Sequence, residues 1–224
     1  MKGNILIIGD THEPFAHPKY LSFCCRQRDK YKPTHVVHIG DEVDNHAISY
    51  HETDPDGYSA SREADLAEKH LHKWFKEFPN VKVCIGNHSH LHLRQGKSAG
   101  LPKRFIKTDF NDVWNIPKTW KWDFGWDIYG VHFQHGTKNS GKYAHLRVAE
   151  TNRQSTVIGH THAFGGCGYL ASHRDLIFGL NAGCGVSIKD YAFVYGKDFK
   201  YRPTLGCGVI EDYGHKASFI PMKL

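Results

Sequence analysis

Five short runs of apolar, mostly β-branched residues lead into glycine-containing polar turns. They are residues 5–8 before Gly9-Asp10, 35–39 before Gly40-Asp41, 81–85 before Gly86-Asn87, 128–133 before His135-Gly136 and 156–158 before Gly159-His160. Continuous apolar runs of this length predict strands buried on both faces. Residues 176–180 and 205–211 read as further strands. Between them, residues 59–78 carry a helical pattern. Ser59 or Ser61 can cap it, Glu63 and Asp65 fall in its first turn, and Pro79 ends it. Leu66, His70 or Leu71, Trp74 and Phe78 give one apolar stripe at a spacing near 3.6. Residues 18–30 predict a second, weaker helix. Strands alternating with helices argue an α/β fold, and the strand-rich second half predicts a second sheet packed on the first.

Residues 90–126 break that rhythm. They hold Trp114, Trp120, Trp122 and Trp126 beside Arg94, Lys97, Lys103, Arg104 and Lys107. The stretch is expected as an insertion or lid over a site, the alternative being a long loop whose tryptophans pack onto the core. With no internal repeat, low-complexity segment or linker in the sequence, residues 1–224 read as a single domain.

Composition narrows the class. Lys plus Arg is 29 against 23 Asp plus Glu, a net charge of +6 that favours anionic partners without establishing nucleic-acid binding. The six cysteines form no CxxC pair, which excludes a zinc knuckle and points to a reduced, cytoplasmic protein. Cys84, inside an apolar run, and Cys184, beside a glycine-rich turn at 181–185, are expected to be structural. The opening MKGNILIIGD has too short an apolar run for an export signal, and no stretch approaches membrane-spanning length.

With 18 histidines, no single one carries weight; only placement does. Taken one at a time, His46, His51, His70, His72, His90, His92, His132, His145, His173 and His215 are expected in ordinary surface or core roles. Five polar groups are different, because each follows an apolar run: Asp10-Thr11-His12, Asp41-Glu42-Val43-Asp44, Asn87-His88, His135 and His160-Thr161-His162. In open α/β sheets, sites form outside the carboxyl ends of the strands. Aspartate and imidazole with an amide oxygen and no thiolate suit Mn²⁺, Fe²⁺ or Zn²⁺. There are more ligands than one ion needs, so two are implied. A pair of ions about 3.5–4 Å apart generates hydroxide and clamps the oxygens of an in-line displacement. Two divalent ions against Asp10, Asp41 and a bridging hydroxide leave net positive charge, which attracts a phosphoester.

The ordered set DxH, GDxxD, GNH, H and GHxH resembles the calcineurin-like metallophosphoesterases. The resemblance implies a four-layer α-β-β-α sandwich of two packed mixed sheets. It implies an enzyme with a dinuclear site in which Asp10, His12 and His162 hold one ion and Asp41 bridges. Asn87, His135 and His160 would hold the other. His135 is preferred to His132 because it ends its strand before a glycine. His88 would bind phosphate and protonate the leaving oxygen, oriented by a hydrogen bond to Asp44 that raises its pKa. The cofactors implied are two divalent ions, Mn²⁺ foremost, with Fe, Zn or Ni as alternatives.

Two positions depart from the family's protein phosphatases. An arginine follows GDxxD there, where this chain has Asn45; an acidic residue follows GNH, where it has Ser89. Without a guanidinium fork, recognition of a dianionic monoester is weakened, so the substrate is expected to be a phosphodiester, a nucleotide or nucleic acid. Arg94 and Arg104 in the lid, and Arg147 and Arg153 before the last motif, are the substitutes considered. The alternatives are a phosphomonoesterase on a small molecule or protein, and, last, a catalytically dead binding scaffold. No membrane or protein partner is inferred.

Overall fold

The computed structural model describes residues 3–52, 55–187, 189 and 202–223. One sheet is built from β1 (Ile5–Ile8), β2 (His35–His38), β3 (Val81–Cys84), β4 (Trp120–Asp123), β10 (Gly206–Glu211) and β11 (Lys216–Pro221). The other holds β5 (Gly125–Ile128), β6 (Val131–Gln134), β7 (Thr156–Ile158), β8 (Gly166–Ala171) and β9 (Leu176–Asn181). The helices are α1 (Tyr20–Tyr31), α2 (Ala60–Glu77), α3 (Leu91–Ser98), α4 (Phe110–Val113) and α5 (Ala144–Asn152). The first sheet runs β11-β10-β1-β2-β3-β4, and the second β5-β6-β7-β9-β8. Both are mixed: β1 to β4 are parallel neighbours with β10 and β11 antiparallel at one edge, and β6, β7 and β9 are parallel between antiparallel β5 and β8.

Strand β1 shows why its sequence is apolar throughout. Ile5 and Ile7 face the second sheet, in a core with Phe133, Val157, Phe178 and Leu180. Leu6 and Ile8 point the other way, packing with Tyr20, Phe23, Leu71 and Trp74 of α1 and α2. On the far side, α5 lays Ala144 and Val148 against Ile158. A Cβ at Gly179 would stand 2.4 Å from the His145 carbonyl oxygen, so only glycine lets α5 lie this close to β9. The layers are therefore α-β-β-α, the expected arrangement.

Helix α2 starts at the expected cap, Ser59, whose hydroxyl accepts from the Arg62 N–H. Its buried stripe is Glu63, Ala67, Leu71 and Trp74, turned one position from the stripe read through Leu66. The continuous run 128–133 is not one strand. Tyr129 and Gly130 both take positive φ (52° and 74°), making a tight turn between β5 and β6.

The stretch 90–126 divides rather than forming one lid. It includes α3, α4, β4 and the first residues of β5, and β4 pairs in parallel with β3. Trp114 and Trp120 are buried, and the Trp120 indole N–H donates to the Phe78 carbonyl at 2.8 Å. These tryptophans belong to the core under α2 and cannot offer a stacking face. No helix among the described residues is long and apolar enough to cross a membrane.

Candidate metal centre

The loops leaving β1, β2, β3, β6 and β7 converge, and their glycines make the convergence sterically possible. A Cβ at Gly86 would lie 2.1 Å from Asp41 Oδ1, one at Gly159 2.2 Å from Asp10 Oδ1, and one at Gly40 2.5 Å from His135 Nδ1. Each loop's glycine leaves room for another loop's polar side chain. His12, Asp41, Asn45 and His160 all adopt left-handed backbone conformations (φ 49°, 48°, 53° and 64°). Non-glycine residues accept that cost where the surrounding structure imposes it, typically at functional sites.

Two groups of side chains result. In the first, His162 Nε2 lies 3.0 Å from Asp10 Oδ2 and 3.2 Å from His12 Nε2. In the second, His135 Nε2 lies 2.9 Å from Asp41 Oδ2 and 3.1 Å from Asn87 Oδ1, with the His160 ring 5.1 Å from the His135 ring. Asp41 Oδ2 is also 3.9 Å from His12 Nε2, so this carboxylate stands between the groups. Main-chain donors hold the carboxylates: His160 N–H to Asp10 Oδ2 and His88 N–H to Asp41 Oδ1, each at 2.8 Å.

The chemistry of the donor set fits cations. His135 Nδ1 faces the Ile39 carbonyl at 3.1 Å, which can only accept, so that nitrogen carries the hydrogen. Its Nε2 faces two acceptor oxygens, an arrangement satisfied by a cation between them, either the ring's own proton or a metal ion. His12 repeats the pattern, with Nδ1 donating to Asp44 Oδ1 at 2.5 Å and Nε2 turned toward His162. Asp10 Oδ1 is buried with no hydrogen-bond partner among the described residues. Burial pushes the His135 pKa down, but Asp41 and Asp10 overcome it and lift it to about 9. The pocket is built for positive charge, and convergent acceptors suit a divalent ion better than a proton. Asp10, His12 and His162, and separately Asp41, His135 and His160, bring ligand atoms within 4.8 Å of one another.

His88 lies beside this cluster, its ring 4.6 Å from that of His12. Burial lowers its pKa, yet the Asp41 and Asp44 charges prevail and raise it. Its Nδ1 donates to the Asp44 main-chain oxygen at 2.5 Å, while the Asp44 carboxylate stands 3.6 Å away and takes His12 instead. The expected His88–Asp44 partnership is thus made by the backbone, because His12 Nδ1 claims the carboxylate.

His132 turns to Asp127, 3.1 Å away, so His135 is the one that reaches the cluster. Asn45 donates from Nδ2 to the His88 carbonyl at 3.0 Å, bracing that loop. Arg94 and Arg104 are not brought into the cluster. Both are exposed, with guanidinium groups over Tyr50 and Phe105 respectively, 5.0 and 5.6 Å from the ring centroids. Arg147 reaches the Ser140 carbonyl, and Arg153 ends α5 in a left-handed conformation. Sequence reasoning missed an outer layer of buried groups. His38 is buried, its pKa brought by burial to about 4; its Nε2 faces Thr11 Oγ1 at 3.1 Å and its Nδ1 accepts from Gly40 N–H at 3.3 Å. Glu13, Glu42 and Glu63 are also buried. The signal available for two of them was position, since Glu13 and Glu42 directly follow candidate ligands.

The family model for calcineurin-like phosphoesterases matches residues 3–183. The chain belongs to the calcineurin-like phosphoesterases. That membership supports phosphoester hydrolysis, and the His/Asp clusters together with it point to divalent metal binding. No curated protein matches the chain. Among solved structures it is similar to vacuolar protein sorting 29 from Cryptosporidium parvum, at 13% identity and a TM-score of 0.50, over 96% of this chain and 88% of that one. It is equally similar to a metallophosphoesterase from Sphaerobacter thermophilus, at 13% identity and a TM-score of 0.50, over 100% and 89%. At such identities the likeness is one of fold.

Proposed function

We propose that this calcineurin-like phosphoesterase is a dinuclear metal-dependent hydrolase that favours phosphodiesters of nucleotides or nucleic acid. One observation carries the reading: Asp41 Oδ2 stands 2.9 Å from His135 Nε2 and 3.9 Å from His12 Nε2, between two sets of convergent acceptors. Asp10, His12 and His162 would hold one ion, Asn87, His135 and His160 the other, and Asp41 both. Bound divalent ions, Mn²⁺ foremost, would lower the pKa of water and neutralise phosphate charge.

The chain's own groups do the rest. His88, its pKa raised by Asp41 and Asp44 and its Nδ1 fixed on the Asp44 carbonyl, would give a proton to the leaving oxygen as the P–O bond breaks in line with the attacking water. Asp44 serves by orienting His12 through its carboxylate and His88 through its main chain.

Preference for a diester rests on what the phosphate would not meet. Asn45 is engaged with the His88 carbonyl, and Ser89 is fully buried with its hydroxyl donating to Glu42 Oε2 at 2.5 Å. Neither supplies the bidentate cation that a dianionic monoester rewards. Aromatic groups with cations above them stand on the ligand-bearing loops and their extensions: Tyr50 under Arg94, and Tyr143 and Phe164 beneath Lys142 at 5.6 and 5.4 Å. Such pairs suit a ligand with both bases and phosphates.

With Mn²⁺, bis-p-nitrophenyl phosphate is expected to turn over faster than the monoester, and His88→Ala to lose about 10²-fold or more in kcat while still binding metal. Faster monoester turnover would establish a phosphomonoesterase instead. Undiminished function in His88→Ala would favour a binding scaffold.

A further inference from the structure

We propose that α2, which supplies none of the candidate ligands, sets the spacing of the two ligand loops that follow β1 and β2, through two buried glutamates acting as positioning residues. Glu13 and Glu63 are each 4% exposed. Glu13 directly follows His12, and both of its oxygens are taken by α2: the Trp74 indole N–H donates to Oε1 and His70 Nδ1 donates to Oε2, each at 2.7 Å. Glu63 works in the reverse direction. It projects from α2, and its two oxygens accept from the His46 and Ala47 main-chain N–H groups, at 2.7 and 2.8 Å, just beyond Asp44 and Asn45.

The two loops also touch each other directly. Main-chain N–H groups of Thr11 and His12 donate to the Asp41 carbonyl, Glu13 N–H donates to Glu42, and Asp44 N–H donates to Glu13. Both loops are thus tied to one helix and to each other, closing a triangle around the facing His12 and Asp44 side chains. Glu13 is held outside the ligand set, because both its oxygens are engaged by α2. A carboxylate accepts from both donors at each position, and at Glu63 both donors are main-chain N–H groups that cannot change role. Glutamine would offer one acceptor and turn its own N–H₂ group against the second donor.

This proposal rests on the metal-centre reading above, and metal affinity separates the two. Mn²⁺ is titrated by calorimetry into the metal-stripped full-length chain and into Glu13→Gln, Glu63→Gln and Trp74→Phe, with thermal melts alongside. The two glutamine variants are expected to bind Mn²⁺ about 10–100-fold more weakly, the usual effect of losing an outer-shell partner. They should lower kcat on bis-p-nitrophenyl phosphate more than they change KM. Trp74→Phe, which keeps the packing and removes one donor, should fall between them and the wild type. Leu71→Ala, on the same buried face but with no polar group to bond either loop, should lower Tm and leave Mn²⁺ affinity within about 2-fold. Wild-type affinity in the glutamine variants, or an equal loss in Leu71→Ala, would overturn the clamp. No Mn²⁺ binding by the wild-type chain would overturn the metal-centre reading, and the clamp with it.

Discussion

Glu42 has no solvent to carry its charge. It is fully buried, Ser89 donates to one oxygen, and Oε1 has no hydrogen-bond partner among the described residues. Burial pushes its pKa from 4.5 to about 7. Between those values the folded chain holds a proton that the unfolded chain has lost, so Glu42 makes stability fall as pH rises through this window. The full effect is about 3 kcal/mol. Glu42→Gln, melted in metal-free buffer from pH 5 to pH 8, should therefore lose less Tm than the wild type; identical slopes would refute the buried, ionisable Glu42. Ser89 gains meaning from the same contact. The carboxylate that the family's protein phosphatases carry after GNH is absent from that position, but one from the GDxxD loop bonds to the serine that replaces it. At this scale the sequence was informative where chemistry alone selects a residue. That Asp10, His12, Asp41, Asn87, His135, His160 and His162 could gather at one place was suggested by their types and their positions after apolar runs, and the family resemblance proposed them as ligands. The partner of the Asp44 carboxylate was not legible, because two histidines compete for it and only their placement decides.

Among the elements, buried strands were the most legible, since both faces of β1 and β7 meet apolar layers and the sequence must be apolar throughout. Strands with one open face left weaker traces. β8 alternates half-buried and exposed residues around glycines, and β4 reads Trp-Lys-Trp-Asp, a period of two hidden inside a cationic stretch. The β5–β6 turn was invisible because Ile128 and Val131 flank it with apolar residues of the same kind. Of the two readings of the tryptophan-rich stretch, a lid or packing onto the core, Trp120 follows the second: it is 1% exposed against Phe78 and Trp122. Trp120→Ala should cost about 3–5 kcal/mol and lower Tm by about 10 °C or more. A lid residue would instead leave Tm unchanged and raise KM.

For the whole molecule, the two sheets matter because they aim loops from different layers at one point. Asp10, Asp41 and Asn87 come from the first sheet, and His135, His160 and His162 from the second. Neither sheet alone supplies all the side chains of either group, so a bound metal ion should tie the layers together and raise Tm with the logarithm of its free concentration above Kd. This arrangement was legible in outline from the five motifs, each placed after an apolar run. The outer layer of buried glutamates was not, since a carboxylate in a sequence does not announce that a tryptophan or a backbone amide will meet it. The central claim is a two-ion centre that hydrolyses phosphoesters. Its most direct test is to add Mn²⁺ stepwise to the metal-stripped chain while following turnover of bis-p-nitrophenyl phosphate. Turnover that climbs until two equivalents per chain and then levels is the predicted result; turnover complete at one equivalent, or absent at every ratio, would contradict it.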